Sequence, residues 1–166
     1  MARFNYVCAH SISHAVELLN EPGLTSQPLA GGTDLMVYLR QKTPWFDRLV
    51  DISHIPQLKI IEQQNGRIKV GSGVTFFQAT QSDLLRQAVP FLVEACQSVG
   101  GPQIRNLGTL GGNVVNAAAC ADSLPPLVCL GAVALRTGHK LEWDSAAMRV
   151  TNALTLGICA MAFQSS

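Results

Sequence analysis

The chain has 166 residues, 48% apolar and 14% charged, with a formal net charge of +1. That is ample core material for one domain or two tightly packed lobes, and it argues against long disordered tracts. Acidic and basic residues are interspersed, so nothing in the charge pattern suits nucleic acid as a partner. The N-terminal stretch MARFNYVCAHSISHAVELL lacks the continuous apolar core of a secretory signal. No run reaches the ~18 apolar residues a membrane span needs.

In chain order, Ser11 reads as the N-cap of a helix through about Asn20, with Ala15, Leu18 and Leu19 on one face. EPGLTSQP is a turn-rich connector, and PLAGG a short buried strand entering a glycine turn. A helix over 33–42 follows, capped by Thr33 or Asp34, and RLVDIS (48–53) is a strand. KIIEQQNGRIKVGSG reads as a hairpin around Asn65-Gly66. Helices are expected at 75–81, with Asp83 capping another over 83–99 that Pro90 kinks or restarts. GGNVVNA reads as a strand edge, SLPPLVCLG as a short helix and AVALRT (132–137) as a strand. After His139 the period is ambiguous, with a helix possible around 145–163. Strands and helices alternate with hairpins mixed in, which indicates an α/β to α+β class with a mixed sheet.

Two glycine-dense turns stand out: LAGGTDLM (29–36) and NLGTLGGN (106–113). Glycine lets backbone N–H groups point outward with no Cβ in the way, and a concave set of such donors at a helix start suits phosphate oxygens. Two loops suit a pyrophosphate, and hence a dinucleotide. No G-x-x-x-x-G-K-S/T P-loop and no G-x-G-x-x-G after a first strand is present. A lone Gly-Gly is most simply a plain turn; the ordered pair, each with Thr beside glycine, favours a shared site.

LAGGTDLMVYLR, LVDISHIPQLKII, IKVGSGVTFFQ and VGGPQIRNLGTLGGNVVNAAACADSLPPLVCLGA follow one another here in an order and spacing that resembles the FAD-binding subunit of molybdenum hydroxylases, the xanthine dehydrogenase and carbon monoxide dehydrogenase type. The resemblance covers residues 3 to about 138. It implies an α+β, PCMH-type (vanillyl-alcohol-oxidase-like) FAD-binding domain of two small α/β subdomains with mixed sheets, over 1–55 and 56–138. It further implies that Leu29, Ala30, Gly31, Gly32, Thr33, Asp34, Leu35 and Met36 form a first FAD segment, with backbone N–H groups on the pyrophosphate. Thr109, Leu110, Gly111, Gly112 and Asn113 would form a second, closing over the pyrophosphate and reaching toward the flavin. Val99 sits where the family places a cofactor-contacting residue, Asp122 matches the Asp of the ribose or adenine side, and Gln103 and Arg105 line the approach. Arg105 could equally be a surface cation paired with a carboxylate.

The implied role is relay. A molybdopterin-binding partner subunit oxidises a purine, aldehyde or related heterocycle. Electrons pass through 2Fe–2S clusters of an iron–sulfur subunit to FAD, then to NAD or another acceptor. No side chain of this chain needs to be a catalytic base, and a cytoplasmic hetero-oligomer is implied. Family members run on past this length, adding a further cofactor-contacting portion and a C-terminal lobe. The chain is therefore expected to be truncated after about residue 138, with 139–166 an atypical tail. The alternative function is a non-catalytic remnant that binds nucleotide weakly or only docks to partner subunits. A free-standing flavin reductase would need a substrate domain and a proton donor near the flavin, and neither is found.

His10, His14 and Glu17 share a helix face but suggest no outside ligand, so a solvated polar face is the simpler reading and no metal site is expected. Cys8, Cys96, Cys120, Cys129 and Cys159 are odd in number and lack a C-x-x-C, which indicates reduced, mostly buried thiols. Phe76, Phe77 and Phe91 are expected in the core, and Trp45 partly buried under its loop.

Overall fold

The computed structural model describes residues 4–41, 44–64, 67–116, 143–144 and 149–150. Strand β1 (Asn5–Cys8) leads to helix α1 (Ile12–Leu19), then β2 (Ser26–Leu29), α2 (Leu35–Gln41) and β3 (Arg48–Asp51). These strands form a parallel sheet in the order β1-β3-β2. All four residues of central β3 are buried, as expected of a parallel strand covered on both faces. Ser11 caps α1 as its sequence predicts, its hydroxyl accepting from the His14 amide. The amphipathic face of α1 buries Ala15, with Leu18 and Leu19 packed against a cluster of Ala9, Val50 and Ile55.

A 3-10 turn (Pro56–Leu58) leads to the hairpin β4 (Ile61–Gln64) and β5 (Arg67–Val70), which pair antiparallel. The predicted Asn65-Gly66 turn lies outside the described residues. Among the described residues the first sheet is parallel and the second antiparallel. Five helices follow: α3 (Phe76–Gln81), α4 (Asp83–Ala88), α5 (Pro90–Ser98), α6 (Pro102–Leu107) and α7 (Leu110–Asn116). Pro90 starts a new helix, because its fixed φ and missing N–H suit a first turn. The cap of α4 is Ser82, whose hydroxyl accepts from the Leu85 amide; Asp83, expected as the cap, is the first helical residue. Thr75 and Gln78 form a reciprocal capping box on α3.

The second core holds Val74, Phe76, Ala79, Leu85, Leu92, Val93, Cys96 and Leu110. Full burial of side chains such as Leu85 and Val74 contributes about 1.5–3 kcal/mol each. Phe91 packs against this core, but Phe77, expected inside, is 48% exposed, while Phe76 and Ala79 of the same helix are buried. Trp45 is also half exposed, edge-on to Tyr38 at 4.7 Å and to Phe46 at 5.4 Å.

Two further expectations change. Of residues 111–117, read as a strand edge, 111–116 are helical, and Ala117 lies outside the described residues. The short pair β6 (Trp143–Asp144) and β7 (Arg149–Val150) is antiparallel, so a helix does not run through 149–150. The helix and strand expected over 123–137 lie outside the described residues. Among the described residues no helix is long and apolar enough to cross a membrane.

Candidate functional site

The last rung of the parallel sheet aligns Cys8, Asp51 and Leu29, so all three strands end together. The carboxyl ends of parallel strands are where open α/β sheets present ligand-binding loops. The first glycine turn leaves from this edge. Leu29 closes β2, and its carbonyl accepts from the Ile52 amide at 2.9 Å. Ala30, Gly31, Gly32 and Thr33 are half-buried and Asp34 is exposed. Gly32 has φ +70°, where an L side chain is strained. Its carbonyl accepts from the Met36 amide at 2.9 Å, so the turn feeds directly into α2. Leu35 is half-buried and Met36 is 51% exposed. Among the described residues, no protein acceptor takes the amides of Gly31, Gly32, Thr33 or Asp34. Among the described residues the turn therefore presents a run of amides without a protein acceptor at the sheet edge.

The second glycine turn is built differently. Thr109 is buried and makes an isolated antiparallel bridge with Thr75. The Leu110 amide donates to the Val74 carbonyl at 2.9 Å and the Gly111 amide to the Ser72 carbonyl at 2.8 Å. The Gly112 amide donates to Thr109 Oγ1 at 3.1 Å and the Asn113 amide to the Thr109 carbonyl at 3.0 Å. Thr109 thus caps α7, and Leu110 anchors the helix in the second core. Within Thr109–Asn113, expected to close over a pyrophosphate, the amides of 110–113 are taken up by the protein. This loop contributes shape and position rather than a set of open donors.

The two turns touch. A Cβ on Gly31 would land on the Leu107 carbonyl, 2.6 Å from its carbon and 3.0 Å from Cα of Gly108. The junction lies just before Thr109, at the end of α6. A third glycine pair, Gly71 and Gly73, reinforces it. The Gly73 amide donates to the Leu58 carbonyl at 2.7 Å, while Ser72 between them accepts from Gly111. A Cβ on Gly71 would lie 2.5 Å from the Leu58 carbonyl carbon. The Gly-Ser-Gly turn, read in sequence only as the end of a hairpin, therefore couples the 3-10 turn after β3 to α7.

Val99 is half-buried and packs on the second core. Gln103 is exposed. Among the described residues Arg105 pairs with no carboxylate; it donates to the carbonyls of Val99 and Gly100 at 3.1 and 2.6 Å. Asp122 lies outside the described residues. His10 and His14 have ring centroids 5.7 Å apart, and no group of three or more potential metal ligands occurs among the described residues. Cys8 and Cys96 are free thiols; the other cysteines lie outside the described residues.

One polar group near the sheet edge was not singled out by sequence. Asp51 is 5% exposed, accepting from the Tyr6 hydroxyl and, at 2.8 Å, from the Ser53 amide. Burial works against its charge, but the Tyr6 and Ser53 hydrogen bonds and the nearby His54 outweigh it and hold the carboxyl below its usual range. The carboxylate is turned into the protein and occupied there. Its position at the end of the strand RLVD is the sequence signal for it.

Residues 2–147 match the family described as the FAD binding domain in molybdopterin dehydrogenase, a stretch that runs past Gly138. The chain is 35% identical over 123 residues to the xanthine dehydrogenase FAD-binding subunit of Escherichia coli O157:H7, covering 74% of this chain and 42% of that protein. It is 35% identical over 141 residues to the 6-hydroxypseudooxynicotine dehydrogenase complex subunit alpha of Paenarthrobacter nicotinovorans, covering 85% of this chain and 47% of that protein. In structure it superposes on a chain of reconstituted CO dehydrogenase from Oligotropha carboxidovorans with a TM-score of 0.72 at 34% identity, over 78% of this chain and 45% of that one. The chain thus spans less than half the length of these relatives. The paired glycine turns lie within the matched stretch, and this chain belongs to the FAD-binding domain family of the molybdopterin dehydrogenases.

Proposed function

We propose that this chain binds FAD along the first glycine turn and is the electron-transfer subunit of a molybdenum hydroxylase. The observation that carries this reading is the run of amides at Gly31–Asp34 that meet no protein acceptor among the described residues, held at the carboxyl edge of a parallel sheet and braced by the second turn. The site would comprise Leu29–Met36, Val99, Thr109–Asn113 and Asp122, within lobes over 1–55 and 56–138. In it, Gly31–Asp34 would bind the pyrophosphate, while Thr109–Asn113 would fix the wall against which the cofactor lies. Bound FAD would supply the electron-transfer chemistry, linking the iron–sulfur clusters of a partner subunit, and through them a molybdopterin-binding subunit, to NAD or another acceptor. The relatives' names, a FAD-binding subunit and a complex subunit alpha, support a hetero-oligomer. A cytoplasmic location fits this assignment.

Titrating the purified 166-residue chain with FAD and following quenching of flavin fluorescence tests the reading. Saturable binding near one FAD per chain supports it. A folded chain that leaves FAD free in solution, alone and together with the iron–sulfur and molybdopterin subunits, supports instead a non-catalytic remnant that docks to partners.

A further inference from the structure

Helix α5 ends at Ser98 with Val99 as its C-cap, and the chain reverses through Gly100, at φ +43°, into α6. The carbonyls at a helix C-terminus have no intrahelical partner and carry the negative end of the helix dipole. Arg105 closes this turn from one helical turn ahead. Its Nη1 donates to the carbonyls of both Val99 and Gly100, and its own amide donates to the Gly101 carbonyl at 3.0 Å. The turn is tight: a Cβ on Gly100 would come within 3.2–3.3 Å of the Ile104 side chain. The same helix then delivers Leu107 and Gly108 to the contact with Gly31. Arg105 therefore sits between the Val99 turn and the junction of the two glycine loops, and it is bonded to the first while sharing a helix with the second.

We propose that Arg105 is a positioning residue of the cofactor site. It sets the spacing between Val99 and the Leu107–Gly108 junction through its hydrogen bonds to the Val99 and Gly100 carbonyls. The proposal rests on the FAD reading above. A guanidinium is suited to this because it is always charged and offers several donors in a fixed fork. A neutral apolar side chain leaves two carbonyls unbonded and lets the turn swing, while a lysine retains charge and donors on a flexible arm.

The test compares Arg105→Met and Arg105→Lys with the wild-type chain in three measurements: melting temperature, FAD affinity by fluorescence quenching, and the visible circular dichroism induced in bound flavin. Arg105→Met is expected to weaken FAD about ten-fold, equivalent to about 1.4 kcal/mol, and to change the induced dichroism, with a melting temperature close to wild type. Arg105→Lys is expected to recover most of the affinity and the wild-type spectrum. Should Arg105→Met melt below the assay temperature, Arg105→Gln, which keeps an N–H donor on a shorter arm, takes its place under the same criteria. Wild-type affinity and spectrum in the variant overturn the positioning role alone. Loss of affinity only in proportion to loss of stability, with no recovery by lysine, also overturns it. A wild-type chain that binds no FAD overturns the cofactor reading and this proposal with it.

Discussion

Gly31 lies so close to Leu107 that a single methyl group on it would collide with the Leu107 carbonyl. The obstacle is backbone, which cannot rotate away as a side chain would. Gly31→Ala must therefore part the two loops. The expected cost is about 2 kcal/mol or more, in the range of overpacked cores. Urea unfolding should show it as a lower midpoint, and FAD affinity should fall as well. A Gly31→Ala chain with unchanged stability would mean the loops are not in contact in solution.

Gly111 and Gly112 are adjacent in sequence but differ in what surrounds them. A Cβ on Gly111 would stand 2.6 Å from Cβ of Ser72 and 2.7 Å from its carbonyl oxygen. The glycine is required by this approach, not by a ligand, so Gly111→Ala should lower stability and flavin binding together, by about 1–3 kcal/mol in stability. A Cβ on Gly112 would meet only the Thr109 hydroxyl, at 2.9 Å. Losing that cap costs about 1 kcal/mol and the gain in helix propensity returns about as much, so Gly112→Ala should be near neutral. Denaturation curves that rank the two variants in the reverse order would contradict this packing.

The features legible in sequence are those in which local rules and burial agree. Ser11 before an amphipathic run yields α1, and Pro90 yields a helix start. Paired glycine turns were read as converging, and they do adjoin, but through Leu107 and Gly108 rather than through Thr109–Gly112. Gly-Gly-Asn-Val-Val has poor helix propensity, so nothing local marks α7 as a helix. Its N-terminus is organised instead by the Thr109 cap and by carbonyls of Val74 and Ser72, more than thirty positions away in the chain. Tertiary acceptors of that kind leave no local mark. The same holds for Gly71 and Gly73, whose reason for being glycine is the distant Leu58 carbonyl. The family resemblance points to both glycine turns alike; only the bonding pattern among the described residues distinguishes the amides of the first, which meet no protein acceptor there, from the occupied amides of the second.

Tyr6 and Asp51 should shape stability at both ends of the pH scale. Asp51 is held below the ordinary carboxylate range, so its contribution is present above about pH 4, the usual unfolded value, and is lost as pH falls through its folded pKa. The Tyr6 phenol is pushed above its usual value by its hydrogen bond to Asp51, then by Cys8 and burial. Its contribution is present below about pH 10 and lost as pH rises further. Tyr6→Phe removes the donor. Urea midpoints measured from pH 3 to 11 should then show the acid limb starting at higher pH and the alkaline limb reduced. An unchanged acid limb would show that Ser53 and His54 alone hold the carboxylate.

Cys96 is fully buried in the second core, and burial pushes its thiol up to about 11 from an ordinary value of 9.0. The thiolate is the reactive form, so two pKa units alone slow alkylation at pH 8 about a hundred-fold, before any effect of access. Cys8, at the end of β1, is half-buried with its sulfur 3.6 Å from the Tyr6 hydroxyl, and is open to reagent. Treatment of the native chain with iodoacetamide, followed by peptide mapping, should label Cys8 while Cys96 stays unmodified. Labelling of Cys96 should rise with urea along the same curve as loss of tertiary structure. That makes it a reporter for the core that anchors Leu110 and with it the second glycine turn. If FAD binds at the loop junction, adding it should shift the Cys96 labelling curve to higher urea by mass action, without the cofactor touching the cysteine. Labelling of Cys96 as fast as Cys8 in the absence of urea would mean that this core is not closed in the isolated chain.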